Sequence, residues 1–201
     1  MPAHSAKSLF DLNMQSVDDC ITLFDGIDKL GTKLEVTWLL RAAVVFSVSS
    51  LDAYFHDKVK YRAGKCDLKE MPPALAKFEI PVSELANWED SKRKGNVLRN
   101  WLTDHFATRP LQRKDDIANA LKLVGIENFW ATIEPDSPKR EQLVAGMQHV
   151  IKRRNQIAHE GDRESSRKSG KKLRSIDRKT ASDAAGFVRQ LVDRIEKAFP
   201  H

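Results

Sequence analysis

The densest run of chemically capable side chains is Lys152-Arg153-Arg154-Asn155-Gln156-Ile157-Ala158-His159-Glu160-Gly161-Asp162. Arginine grips a phosphate through its planar fork of N–H donors, and an imidazole, with an ordinary pKa of about 6.5, moves a proton near neutral pH. Arg154, Asn155 and His159 are therefore groups suited to binding a phosphate and moving a proton beside it. Spacing alone is a weak signal, because Arg99 to His105, Arg153 to His159 and Arg194 to His201 give similar pairs. Context separates them. Asn155 directly follows Arg154, an apolar pair precedes His159, and Gly161 stands where a helix would stop.

A helix must carry this run. Ser137 reads as its N-cap with Pro138 in the first position, and Leu143, Val144, Met147, Val150 and Ile151 recur at spacings of three and four. On an uninterrupted helix, positions five apart point about 140° away from each other. Arg154 and His159 can share a site only if the helix ends near His159 or a second chain completes the site. After the run, residues 160–179 carry eight basic and four acidic side chains. This stretch reads either as a mobile loop that clamps a nucleic-acid backbone through phosphate contacts, with Arg167, Lys168, Lys171 and Lys172, or as a solvated loop. Asp177 then caps a last helix with an apolar stripe from Ala181 to Phe199.

The remaining elements also read as helices. Residues 5–30 form the first, closed by Gly31. Residues 32–63 form the second and most apolar, from Trp38 through Val48, which is a candidate for core or for an interface. Asp52 on that helix is either a support for the motif arginine or a plain surface carboxylate. Residues 64–82, with Gly64, Pro72, Pro73 and Pro81, read as a linker or insertion. Residues 83–107 read as a helix capped at Ser83 with a break near 91–96, and Asp115 to Val124 as a short one. Arg99 and His105 lie among Trp101, Leu102 and Phe106 and read as packing, as do Phe129 and Trp130.

A length of 201 residues suits one domain with a real core. The formal net charge of +6 favours an anionic partner, nucleic acid first. No uninterrupted run approaches the roughly 18 apolar residues of a membrane span, and Met1 to Lys7 does not read as a signal segment. Cys20 and Cys66 are far apart without metal-type spacing, so the default location is the reducing cytoplasm. No glycine-rich phosphate loop, paired-cysteine site or serine nucleophile elbow is present, and the six histidines do not converge, so neither metal nor cofactor is expected.

Arg154-Asn155-Gln156-Ile157-Ala158-His159 resembles the Arg-x4–6-His motif of HEPN domains, including the polar residue that the family favours after the arginine. The stretch Ala42 to Asp57 is similar to the second helix of the HEPN branch with stand-alone ribonuclease-like members. The resemblance implies an all-α, HEPN-like antiparallel helical bundle over residues 1–201, here with extra short helices in the middle of the chain. It implies a metal-independent endoribonuclease in which the RNA 2′-hydroxyl attacks its neighbouring phosphate, giving a 2′,3′-cyclic phosphate and a 5′-hydroxyl. His159 would be the base, Arg154 would neutralise the phosphoryl oxygens, Asn155 would orient either, and Lys152 and Arg153 would hold flanking phosphates. HEPN ribonucleases usually pair their motifs across a homodimer interface, which would also remove the 140° difficulty. A toxin–antitoxin or phage-defence setting follows from the same resemblance. A nucleotidyltransferase antitoxin is less expected, because such HEPN partners often carry a Tyr between Arg and His and this chain has none there. The alternative is a non-catalytic RNA-binding or protein-interaction module of the same fold.

Overall fold

The computed structural model describes residues 5–31, 33–66, 70–164 and 172–200, with the side chains at 84–87 excepted. The described residues are all-helical. In chain order the helices are α1 (Ala6–Asp28), α2 (Thr37–Gly64), α3 (Pro73–Ala76), α4 (Val82–Asp90), α5 (Lys94–Phe106), α6 (Lys114–Leu123), α7 (Phe129–Ile133), α8 (Ser137–Glu160) and α9 (Arg178–Ala198). The only β feature among them is an isolated antiparallel bridge between Arg163 and Leu173. These residues form two compact units, one of residues 5–6 and Asp52–Arg140, the other of Lys7–Leu51 and the chain from Glu141 onward.

The second unit carries the Arg-His motif on α8. Gly146 on α8 passes directly under the Phe187 ring of α9; a Cβ at Gly146 would lie 2.6 Å from that ring. The α9 stripe of Ala181, Ala184, Ala185, Val188, Leu191, Val192 and Ile195 is buried, and Met147, Val150 and Ile151 are buried on α8. At roughly 1.5–3 kcal/mol for each large aliphatic side chain removed from water, such stripes hold the unit together. Arg189 of α9 clamps α1 through the Met14 carbonyl (3.3 Å) and both Asp18 oxygens (2.8 and 2.7 Å). Asp177 caps α9 as expected, accepting the Thr180 N–H at 2.7 Å.

Three boundaries differ from the sequence reading. Helix α2 begins at Thr37 rather than near residue 32, because the Glu35 carboxylate accepts the Thr37 N–H (3.0 Å) and hydroxyl and so caps it there. The cap of α8 is Asp136 rather than Ser137: its side chain accepts the Lys139 N–H at 2.9 Å, three residues on. The third is the start of α4, which begins at Val82 after Pro81 with no side-chain cap, so Ser83 is not its N-cap; the expected break falls at residues 91–93 before α5, and the 64–82 linker contains the short α3. By length and mean hydropathy α2 is also apolar enough to cross a bilayer, which counting uninterrupted runs misses; 56% of that window is buried inside the protein.

The unit Asp52–Arg140 is built around aromatic packing. Phe55 meets Phe129 edge-on at 6.1 Å and Phe129 meets Trp130 at 4.9 Å, while the Trp130 indole N–H donates to the Lys114 carbonyl at 3.0 Å. Close backbone approach joins α2 to α5: a Cβ on Gly95 would lie 2.9 Å from the Gly64 carbonyl oxygen, so only glycine fits there.

Candidate functional site

The C-terminal end of α8 is anchored by one carboxylate. Gly161 (φ +60°) and Asp162 (φ +57°) both turn left-handed past Glu160, and the Asp162 N–H returns to the Gln156 carbonyl at 2.9 Å. The Asp162 side chain is 1% exposed. It accepts Arg41 Nε of α2 at 2.7 Å and both terminal nitrogens of Arg153, one of them at 2.9 Å. Arg41 also donates to the Arg174 carbonyl (2.9 Å) and Arg153 to the Ser175 carbonyl (3.3 Å). Arg174 N–H returns to the Asp162 carbonyl at 2.7 Å, and Arg174 ion-pairs with Glu160 at 3.0 Å. A buried charge is tolerable only when paired and hydrogen-bonded; two guanidiniums on one carboxylate meet that condition.

Arg153 is thus committed to Asp162, with 14% of its side chain exposed. Arg154, one residue on and turned by about 100°, is differently placed. Its NH1 donates to Asn155 Oδ1 at 2.9 Å, and its Nε is shielded from water with no acceptor among the described residues. Leaving such a donor unsatisfied costs roughly 1–3 kcal/mol, and groups of this kind concentrate at working sites. Asn155 is half-buried, and Lys152 and His159 are exposed. Because α8 remains helical through Glu160, Arg154 and His159 point about 140° apart within one chain.

The basic segment that follows is pinned at both ends. Glu164 N–H donates to the Lys172 carbonyl at 2.9 Å beside the Arg163–Leu173 bridge. Lys172 is 74% exposed and 3.8 Å from Glu164. Arg167, Lys168 and Lys171 lie outside the described residues.

Asp52 belongs to the other unit, where its carboxylate accepts the Leu111 N–H at 2.6 Å and lies 3.9 Å from His56. It fixes the turn between α5 and α6. Burial first, and Lys60 second, push His56 below its ordinary value despite the opposing Asp52 and Asp57. The Arg99–His105 pair does not come together as a motif: His105 sits between Phe78, Trp101 and Phe106 and contacts Arg109 at 2.7 Å. The sequence reading missed Asp162 as an anchor and passed over His149, one turn before Arg153, which shares a cavity of about 370 Å³ with Arg153, Thr180 and Asp183. The i, i+4 spacing of His149 and Arg153 is the one signal that could have found the latter pair. Among the described residues no three His, Cys, Asp or Glu side chains converge.

The family profile of the RiboL-PSP-HEPN domain matches residues 13–201. The chain belongs to the RiboL-PSP-HEPN family. Members of this HEPN family are predicted ribonucleases, so RNA is the substrate that membership implies. No curated protein matches the chain, and no solved structure does.

Proposed function

We propose that this HEPN protein is an endoribonuclease whose reaction centres on Arg154, Asn155 and His159. His159 takes the proton from a 2′-hydroxyl, the 2′-oxygen bonds to the adjacent phosphorus, and the P–O5′ bond breaks. The departing 5′-oxygen leaves as a hydroxyl after taking a proton from water or from the imidazolium so formed. Arg154 neutralises the phosphoryl oxygens as charge builds. Because the nucleophile lies within the RNA, a base and a cation suffice and no metal step is invoked. The observation that carries this reading is the contrast between neighbours: Arg153 is saturated by Asp162, whereas Arg154 keeps a shielded Nε without an acceptor. Lys152 and Lys172, both exposed, bind flanking phosphates, and Arg167, Lys168 and Lys171 belong to the same basic segment.

The 140° divergence within one chain makes the working unit a homodimer whose motifs face each other. Trp38 and Phe46 of α2 are 58% and 42% exposed, and they supply the apolar contact for that pairing. The same divergence favours the second reading, a non-catalytic RNA-binding module, should the chain act alone. Total cellular RNA incubated with the protein in EDTA, beside His159→Ala, separates the two. Fragments with cyclic-phosphate ends from wild type alone support the nuclease; RNA retained in a gel shift by both proteins without cleavage supports the module. A cytoplasmic role under a regulatory or antitoxin partner, in phage defence or a toxin pair, fits a nuclease of this kind.

A further inference from the structure

The unit Asp52–Arg140 holds a cavity of about 550 Å³ in which charge and apolar surface are sorted along one helix face. Arg113, at the N-cap of α6, and Asp116, Ala120 and Leu123 within it recur at spacings of three and four, so all four line the cavity from one side. Arg113 and Asp116 are exposed, whereas Ala120 and Leu123 are buried. The face thus runs from a pair of opposite charges at the mouth to an apolar floor, which buried Phe106 and Leu111 complete. Rings close one side: Phe78 is edge-on to His105 at 4.9 Å, and His105 to Phe106 at 4.9 Å. Burial first, and Arg109 second, hold His105 below its ordinary pKa, so its neutral ring accepts from Arg109 NH1 at 2.7 Å and seats a second guanidinium at the mouth. Among the described residues no carboxylate pairs with Arg109 or Arg113, and no cation pairs with Asp116.

We propose that this cavity binds a free α-amino acid with a large apolar side chain, its carboxylate on Arg109 and Arg113, its ammonium on Asp116 and the Asn119 amide oxygen, and its side chain on the floor beside the rings. The α-carbon of such a molecule carries an anion, a cation and an apolar group together, and the cavity presents the complement of all three at one mouth. Guanidinium forks match a carboxylate in shape and charge. An ammonium has three donors and no acceptor, and a carboxylate with an amide oxygen answers it. The apolar floor supplies the burial, and the volume falls within the range of small-ligand sites. Asp116 decides against the alternatives. It repels a phosphate or any other polyanion brought to the same mouth. A peptide end carries only one of the two charges, so it leaves either Asp116 or the arginines without a counterpart. The site uses none of Arg154, Asn155 or His159, and stands whether or not RNA is cut there.

The test is calorimetric titration of the full chain with L-phenylalanine, L-leucine and L-tryptophan. The tightest of the three is then compared with the same molecule lacking its ammonium, the same molecule lacking its carboxylate, and glycine, which lacks the side chain. Each truncated compound is expected to bind at least tenfold more weakly, because a hydrogen bond to a charged group is worth about tenfold or more. Asp116→Asn, on an exposed residue, is expected to weaken the amino acid at least tenfold while leaving the compound without the ammonium no weaker. Arg109→Gln/Arg113→Gln is expected to weaken the amino acid at least tenfold, with an unchanged circular dichroism spectrum in both variants. Three outcomes overturn the proposal: no saturable binding of any of the three amino acids up to millimolar concentration, a truncated compound binding within tenfold of the whole molecule, or wild-type affinity retained in either variant.

Discussion

Replacing Asp162 by asparagine removes one negative charge and little else. Asparagine is nearly isosteric and tolerates the left-handed backbone that residue 162 adopts (φ +57°), so backbone strain does not enter. What remains is two guanidiniums, Arg41 and Arg153, with side chains only 12% and 14% exposed and no carboxylate between them. Removing one partner of a buried ion pair costs about 3–5 kcal/mol. The amide oxygen keeps one acceptor, which places Asp162→Asn near the lower end, about 3 kcal/mol. In a protein of this size each kcal/mol moves Tm by about 2–4 °C, so a fall of about 6–12 °C is expected in thermal unfolding. Replacing all three residues together by apolar ones of similar volume should recover most of that loss, because no charge is then stranded. Because this cluster holds the end of α8 beside His159, RNA cleavage should fall more in Asp162→Asn than the fraction unfolded accounts for. A loss below about 1 kcal/mol in Asp162→Asn would refute the idea that this carboxylate anchors the helix end.

Three other perturbations follow from the same structure. Gly146→Ala gains about 1 kcal/mol of helix propensity but puts a Cβ 2.6 Å from the Phe187 ring. Overpacking of about 1–3 kcal/mol should win, lowering the urea midpoint; a raised midpoint would mean the ring moves aside freely. His56 and His105 both sit below 6.5 in the folded chain, chiefly through burial. The unfolded chain therefore binds more protons just below that pH, so stability is flat above about 6.5 and is lost as pH falls through it. Tm measured from pH 7.5 to 5 should drop, and His56→Gln/His105→Gln should flatten the drop. Trp38→Glu/Phe46→Glu, on exposed positions, should leave the helical content intact while shifting the sedimentation of the protein from dimer to monomer and abolishing cleavage.

Local patterns were legible where local forces decide. The α9 stripe and its Asp177 cap, the extent of α8 and the break before α5 all follow from neighbours within a turn or two. The helix start at Thr37 was missed because a glutamate two residues before it does the capping, a role usually filled by shorter side chains. Which of the adjacent arginines is free was not legible. Arg153 and Arg154 are chemically equal in sequence, and only the fold brings to one of them a carboxylate nine residues on, which Arg41, 121 residues before that carboxylate, shares. Asp52 reads alike as a surface group or a support, and the backbone amide it accepts lies 59 residues away. For the proposed site, the sequence left open whether the helix ends near His159; α8 continues to Glu160, which keeps Arg154 and His159 on different faces of one chain.

The most direct test is cleavage of one defined single-stranded RNA in EDTA by wild type, Arg154→Ala and His159→Ala, with the all-deoxy version of the same sequence alongside. The account predicts 2′,3′-cyclic phosphate and 5′-hydroxyl ends from wild type, at least a hundredfold loss in each variant (general acid–base catalysis is worth about 10²–10⁴), and an uncut DNA. Cleavage by His159→Ala at the wild-type rate, or products with 5′-phosphate ends, would contradict it.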